Sequence, residues 1–158
     1  MKKFMYLSIA IWCMLAISCE KDENKECENK SLEIESLENL YGCENTKYQM
    51  DVNLSNNFII IRSQSQFNNY VIGTCQPEIN FETYDLIIGK QSLTSGNSYI
   101  SYELTEDCET SNLLLFVTFH QNITTEAPNL TYHALIPKLE SEQVIDIEID
   151  IIHIYQNN

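Results

Sequence analysis

The stretch Ile145-Asp146-Ile147-Glu148-Ile149-Asp150-Ile151 alternates isoleucine with a carboxylate throughout. Successive side chains of a β-strand point to opposite faces of a sheet, so this period of two predicts a half-buried strand within residues 143–154. We expect the isoleucines to face a core and the carboxylates to face solvent. The adjacent Ile151-Ile152 pair breaks the alternation, which predicts a bulge or a second buried face near the C-terminus.

Similar patterns extend upstream as far as residue 31. Alternating or continuous apolar runs predict further strands at 32–37, 48–54, 58–61, 81–89, 98–105, 112–120 and 130–136. The run Phe58–Ile61 is apolar at every position, which favours a central strand. Turn-forming residues within Ser92–Ser98 and Thr124–Asn129 separate pairs of later strands.

One segment has a helical period instead. Phe67, Tyr70 and Val71 are spaced at i, i+3 and i+4 behind Ser63, a residue type that caps helix N-termini. The chain therefore predicts a mainly β fold, an antiparallel β-sandwich or barrel-like domain of about eight strands with one short helix. Residues 31–158 are enough for one such domain and too few for two typical ones.

The N-terminus has the form of an export signal. Two lysines follow Met1, and Phe4–Ser18 carries no charge before Cys19 opens a polar tract. This apolar run is too short to span a membrane as a helix and fits a secretory signal in residues 1–18. Ala16-Ile17-Ser18-Cys19 resembles a bacterial lipobox, which implies that Cys19 is lipidated and anchors the chain to the membrane. An ordinary signal peptide cut near Ser18 is the alternative.

Residues 19–30 are expected to form a lipidated N-terminus and a flexible acidic tether, because Cys27 is the only apolar side chain in residues 20–30. The tract also resembles the acidic export signals of some surface-displayed lipoproteins. We therefore expect the protein to lie in the cell envelope of a Gram-negative bacterium, anchored in the outer membrane and exposed at the cell surface. Retention on the periplasmic face is the alternative orientation.

The number of cysteines agrees with an oxidising compartment. Cys13 would leave with the signal and Cys19 would take the lipid, which leaves an even set for disulfides, namely Cys27, Cys43, Cys75 and Cys108. Four cysteines allow three pairings. If strands 81–89 and 98–105 form a hairpin, their outer ends are neighbours. That arrangement favours Cys75–Cys108 and leaves Cys27–Cys43.

The charge of the chain argues against some partners. The formal net charge is −14, and all 23 acidic residues follow Ser18. A surface this acidic repels nucleic acid and anionic headgroups, so the expected partners are a protein and, through the lipid alone, the membrane. Solubility is the simplest meaning of the charge, and attraction of cations or basic proteins is the more specific one.

No catalytic residue, metal site or cofactor is assigned from the sequence. His120, His133 and His153 occur singly within predicted strands, so we expect hydrogen-bonded or surface sheet residues rather than zinc ligands. Glu106-Asp107-Cys108-Glu109 and the row Asp146, Glu148 and Asp150 offer carboxylates to calcium. A flat row does not wrap around one ion, however, and the first cluster has no glycine turn.

Several short motifs resemble the PrcB-type domain, a family named for a lipoprotein subunit of a bacterial surface protease complex. They are a strand ending in Arg62-Ser63, a short helix, an Asp-Phe-like strand start at Asp85-Leu86, a glycine turn at Gly96, and Tyr132-His133 ahead of Pro137-Lys138. The resemblance covers roughly residues 57–150. It implies a non-catalytic accessory module and supplies no catalytic residue.

The sequence thus favours a lipid-anchored, disulfide-bonded binding or accessory protein without enzymatic activity, and the resemblance suggests a protease as its partner. Two alternatives remain open. One is a small cell-surface hydrolase whose groups come from separate strands. The other is a glycan- or nutrient-binding lipoprotein, which predicts exposed tyrosines beside a groove.

Overall fold

The computed structural model describes residues 27–54 and 58–154. Within these ranges the chain forms nine strands and three short helices. In chain order they are β1 (Lys30–Leu32), α1 (Leu37–Tyr41), α2 (Thr46–Gln49), β2 (Met50–Val52), β3 (Phe58–Ile61), α3 (Gln64–Tyr70), β4 (Val71–Gly73), β5 (Tyr84–Ser92), β6 (Asn97–Glu106), β7 (Leu113–Gln121), β8 (Asn129–Pro137) and β9 (Ile145–His153).

The strands form two main sheets and one small one. The outer sheet has the order β1-β6-β7-β9, the central sheet has the order β3-β5-β8, and β2 pairs with β4 in the small sheet. Pairing is antiparallel except between β7 and β9, which run parallel. The predicted mainly β sandwich is confirmed.

Two apolar cores lie on opposite faces of the central sheet. Between the outer and central sheets, Val117 and Phe119 of β7 pack in the same cluster as Tyr132 and Ala134 of β8. On the other face, a second cluster joins the central sheet to the helices and the small sheet, through Leu37, Phe67, Val71, Leu86, Ile88 and Leu135. Because both faces are covered, β8 is buried at every position except its two ends.

The predicted short helix is confirmed as α3. The Ser63 side chain accepts a hydrogen bond from the backbone N–H of Gln66, which is the expected N-cap contact. Phe67 is fully buried, and Val71, the first residue of β4, is buried beside it, whereas Tyr70 remains exposed. The helix therefore covers the central sheet with a narrow apolar stripe.

Two predicted strands turn out to be partly helical. Leu37 begins α1, where Ser36 caps the helix and Gly42 ends it with a positive φ of 68°. Tyr48 lies in α2, so only Met50–Val52 of the predicted 48–54 strand is extended. The Ser36 cap favours a helix that buries the Leu37 side chain, and Glu38 accepts the Thr46 N–H at the start of α2.

The prediction that Phe58–Ile61 is a central strand was wrong. This strand is β3, which among the described strands pairs with β5 alone and so forms an edge of the central sheet. Phe58, Ile59 and Ile60 are half-buried and only Ile61 is fully buried. A continuous apolar run can therefore belong to an edge strand when both of its faces are partly covered.

The strand predicted within 143–154 is confirmed as β9, but its end differs from the prediction. The register with β7 runs without a shift from Leu113–Ile145 to Gln121–His153, so no bulge is present. Ile151 and Ile152 are each 39% exposed. The second buried face was thus a wrong prediction, because β9 is an edge strand and no described element covers Ile151 and Ile152.

The turn predicted at Ser92–Ser98 is present, but it does not join a hairpin. It carries the chain from β5 in the central sheet to β6 in the outer sheet. Gly96 lies so close to the following crossover that an added Cβ would clash with the Thr124 hydroxyl. Its backbone also bonds to Thr124 and Asn122, which fastens the two crossovers together.

Candidate functional site

The four predicted disulfide cysteines form two bridges, Cys27–Cys108 and Cys43–Cys75, with Cα separations of 5.7 Å and 5.6 Å. The favoured pairing Cys75–Cys108 was therefore wrong. It assumed a hairpin of β5 and β6, and these strands belong to different sheets. The predicted lipidation site, Cys19, lies outside the described residues.

The described end of the predicted tether is attached to the domain. Lys30 begins β1, whose register with β6 places it beside Glu106. Cys27 is bridged to Cys108, which follows β6. Residues 27–30 are thus held at the edge of the outer sheet, because strand pairing and the bridge offset the cost of ordering them.

Three side chains from the motifs of the family resemblance meet at one end of the central sheet. Asp85, only 1% exposed, lies between the half-exposed Arg62 and Lys138. Its Oδ2 accepts from the Leu139 N–H at 3.2 Å and lies 3.5 Å from Arg62 Nε, and its Oδ1 is 3.8 Å from Lys138 Nζ. Lys138 also donates to the Phe81 carbonyl at 2.6 Å. This buried carboxylate ties the loops after β3 and β8 to β5.

His133 of β8 is the centre of a buried polar cluster. The Leu37 N–H donates to its Nε2 at 3.1 Å, so the ring proton of the neutral side chain is on Nδ1, facing Thr46 Oγ1 at 3.4 Å. The Thr46 hydroxyl in turn donates to Glu38 Oε1 at 2.5 Å. Tyr102 completes the cluster by accepting the His133 backbone N–H at 3.2 Å.

The fold holds His133 in its neutral form. Burial lowers the pKa of the imidazole, and the nearby Glu38 carboxylate opposes this only in part. Although His133 Nε2 lies 3.8 Å from Glu38 Oε2, the two do not form an ion pair, because that nitrogen accepts the Leu37 N–H. Burial also raises the pKa of the Tyr102 hydroxyl. The cluster is therefore an uncharged hydrogen-bonded latch between α1, α2 and β8, closed at its rim by Glu38.

Two small cavities flank this latch, of about 210 Å³ and 230 Å³. Both are lined by Ile100, Tyr102 and His133. All of the His133 hydrogen-bonding groups already have partners within the protein. The contacts of this site hold α1 and α2 on β8. Neither Tyr102 nor Glu38 was singled out from the sequence, since each acquires its contacts from a distant element.

The other histidines are sheet residues, as predicted. His120 stacks on Tyr99 at a centroid distance of 3.9 Å and bonds to the Ser101 hydroxyl at 2.8 Å. His153 is the exposed last residue of β9. In residues 27–54 and 58–154, no group of three or more His, Cys, Asp or Glu side chains is arranged to hold a metal ion.

The acidic segment 106–109 consists of the last residue of β6 and the first half of the hairpin loop 107–112 that leads to β7. The Asp107 carboxylate accepts from the Thr110 hydroxyl and from the backbone N–H groups of Thr110 and Glu109. Hydrogen bonding, above all from the Thr110 hydroxyl, lowers the pKa of this carboxyl. Its oxygen is therefore used in closing the turn, as Asp side chains commonly are.

An open groove of about 590 Å³ lies beside the small sheet. Lys90 donates to the Asp51 carboxylate there at 2.6 Å, and this bond lowers the pKa of Asp51. The side chain of Ile72 is 67% exposed at the rim. No tyrosine is among the described residues that line it, so the groove lacks the aromatic platform that the glycan-binding hypothesis predicts.

The free edge of β9 is the most extended candidate interface. The Leu113 N–H donates to the Val144 carbonyl, and the Ile154 N–H donates to the Gln121 carbonyl. Alternate residues of a parallel strand bond to the same neighbour, so the even-numbered residues of β9 face β7. The backbone groups of Ile145, Ile147, Ile149 and Ile151 therefore point away from the sheet, and no described strand pairs with them.

The face of the outer sheet beside this edge is strongly acidic. We call Asp146, Glu148 and Asp150, all exposed, the acidic row. Registers place it next to Leu114, Phe116 and Thr118 of β7, and Glu103 of β6 lies on the other side of Phe116. Strands β6, β7 and β9 contain no lysine or arginine. An approaching partner therefore meets one sign of charge.

No protein-family model matches the chain, and no curated protein or solved structure matches it either. Among the residues that the structure describes, no helix is both long and apolar enough to cross a membrane.

Proposed function

We propose that this chain is a lipid-anchored protein of the Gram-negative cell envelope that acts as a non-catalytic binding or accessory module. The observation that carries the binding role is the nine-residue edge strand β9, which lies beside an acidic face and has no described strand paired along its outer side. Edge strands of this length are normally shortened, covered or paired, so an open one is a natural site for another polypeptide.

The anchoring part of the proposal rests on the N-terminal sequence. A basic start, an uncharged apolar run and Cys19 together favour export and lipidation. Two disulfides within the domain agree with an oxidising compartment. Surface display is proposed from the acidic residues that follow Cys19, with the periplasmic face as the alternative.

Association with a surface protease is the specific form of the proposal. It derives from the resemblance to the PrcB-type domain, whose motifs include Arg62, Asp85 and Lys138. The contacts of these three residues in one cluster support the resemblance, since separate motifs then serve one structural purpose.

Anchoring is tested by metabolic labelling with radioactive palmitate. The wild-type chain should incorporate label and sediment with outer membranes, whereas Cys19→Ala should lose both properties. A Cys13→Ala variant is the matched control and should behave as wild type. Labelling of the Cys19→Ala chain would contradict the assignment.

The accessory role is tested by deleting the gene in its native host and purifying the tagged chain from membranes in parallel. We expect a protease to co-purify and to lose abundance or activity in the deletion strain, while the purified chain alone hydrolyses neither peptide, ester nor glycoside substrates. Turnover by the purified chain alone would instead favour the hydrolase alternative.

A further inference from the structure

We infer that the free edge of β9 binds an extended, basic segment of a partner protein, which adds to the outer sheet as a further strand. This inference rests on the proposed function in that it takes the chain to be a binding module. It adds the site, the binding mode and the chemistry of the segment that is bound.

The backbone of β9 is available where that of the other long edge is not. Along β8, Glu35 exchanges two backbone hydrogen bonds with Leu135, and Tyr102 accepts the His133 N–H. Along β9, the Asp150 carboxylate accepts the Ile151 N–H at 2.8 Å. The N–H groups of Ile147 and Ile149 point to the same open side, and no described strand reaches them. An added strand would pair with these groups.

The side chains of β9 define what such a strand must carry. Residues of the added strand on the outer face would lie beside the acidic row, where opposite charges in neighbouring strands attract. Residues on the inner face would lie beside Ile147 and Ile149, which are half-buried, and Ile151, which is 39% exposed. The matching segment therefore alternates lysine or arginine with β-branched apolar residues.

Charge also decides against a second copy of this chain as the occupant. Pairing β9 with β9 of another copy would bring two acidic rows side by side on one face, and like charges directly opposite each other destabilise a sheet. The chain as a whole has a net charge of −14, which adds repulsion at longer range. A basic segment meets neither obstacle.

The inference is tested with the full-length, disulfide-bonded chain in detergent and a blocked peptide of four alternating Lys-Val pairs. A peptide with four lysines followed by four valines has the same composition and charge but no alternation. We expect the alternating peptide to bind at least tenfold more tightly by calorimetry at physiological salt. Equal affinity for both peptides would mean attraction by net charge alone and would overturn the inference, as would no binding.

Two variants localise the binding. The double variant Asp146→Lys/Glu148→Lys should lower the affinity for the alternating peptide at least tenfold. The control Glu82→Lys/Glu126→Lys makes the same charge change in exposed loops and should leave this affinity nearly unchanged. Ile149→Pro removes one outward N–H group and should weaken binding, while Ile149→Val retains it. Thermal unfolding of each variant checks the fold. If Ile149→Pro does not fold, the charge variants still test the site, because they alter only exposed side chains.

The native partner then separates this inference from the proposed function. If the Asp146→Lys/Glu148→Lys chain still co-purifies with the same protease in wild-type amount, the β9 edge is not the docking site, although the accessory role stands. If no partner depends on the chain while the alternating peptide still binds β9 selectively, the accessory role fails and the edge site stands.

Discussion

At the scale of single residues, Asp85 is a buried carboxylate in an apolar strand, so the cost of removing its charge from water must be offset by nearby polar or charged groups. Its Oδ2 accepts a hydrogen bond from the Leu139 N–H and forms an ion pair with the Arg62 guanidinium. Its Oδ1 has no hydrogen-bond partner within the described part of the chain. The Lys138 ammonium stands 3.8 Å from that oxygen. Compensation is thus mainly electrostatic, from two cations whose own side chains reach solvent.

We predict that Asp85→Asn lowers the free energy of unfolding by about 2 kcal/mol, because the variant loses charge-assisted contacts while it keeps the shape of the side chain. Chemical denaturation measures the difference. Asp51→Asn is the matched control, since it breaks a pair whose carboxylate side chain is 63% exposed. It should cost less than about 1 kcal/mol, and equal costs for both variants would refute the argument from burial.

At the scale of elements, the His133 latch determines how α1 and α2 lie on the sandwich. Each helix is too short to be stable by itself, so its position depends on contacts with β8. Glu38 also accepts the Thr46 N–H and so caps α2, whose N-cap residue Asn45 makes no side-chain bond. One histidine and one glutamate therefore join two helices to the central sheet.

This latch predicts a pH dependence. The folded chain holds the pKa of His133 below its ordinary value of 6.5, so the unfolded chain binds the proton more readily. Stability from this group is complete above pH 6.5 and decreases as the pH falls toward the folded-state pKa, by at most about 1.4 kcal/mol per pH unit. Glu38 is the charged group that faces the ring, and it limits the effect. Urea unfolding at pH 7.5, 6.5 and 5.5 measures it.

His133→Gln should flatten the dependence between pH 6.5 and 5.5 while lowering stability at every pH. His120→Gln, on the outer face, should preserve it. A wild-type chain that is as stable at pH 5.5 as at pH 7.5 would contradict the neutral latch. The carboxyl of Asp51 acts in a separate range, because its lowered pKa makes its stabilising contribution disappear only below about pH 3.8.

At the scale of the whole molecule, the two disulfides join segments that are distant in sequence, with separations of 81 and 32 residues. Cys43–Cys75 connects the loop after α1 to the loop after β4, and both cysteines belong to the second core. Cys27–Cys108 fastens the start of the described domain to the β6–β7 hairpin. The bridges thus stabilise the helical layer and the N-terminal edge.

Peptide mapping without reduction should recover the links Cys27–Cys108 and Cys43–Cys75. Replacing both cysteines of either pair by alanine should lower the free energy of unfolding by about 2–4 kcal/mol, because the unfolded chain then regains the entropy of an open loop. A recovered Cys75–Cys108 link would contradict the sheet arrangement itself, since it would bring the segment before β5 next to the end of β6, and these strands belong to different sheets.

Sequence reasoning succeeded where a pattern is local. The strands β5 to β9 and the helix α3 follow from alternation, turn residues and a cap, all of which act within a few residues. It failed where contacts with a distant element decide between a strand and a helix. In the strand predicted at 32–37, Leu37 lies instead in α1, which Ser36 and Gly42 cap and which packs on the central sheet. In the strand predicted at 48–54, Tyr48 and Gln49 lie in α2.

The candidate interface illustrates the same division. The acidic row and the isoleucines that alternate with it are visible in the sequence, which correctly places Ile145 in the core and the carboxylates in solvent. The edge position of β9 is not visible there. A strand with one covered face reads the same whether it has one neighbour or two, because hydrogen-bonding partners leave no trace in side-chain periodicity.

By itself, the sequence determined the mainly β class, the positions of the long strands and the set of cysteines able to form disulfides, since periodicity and residue chemistry act locally. The tertiary structure alone decided the division into two main sheets, the disulfide partners, the neutral His133 latch and the open edge of β9. Each of these depends on which distant elements become neighbours, and the burial of apolar surface over the whole chain selects those neighbours.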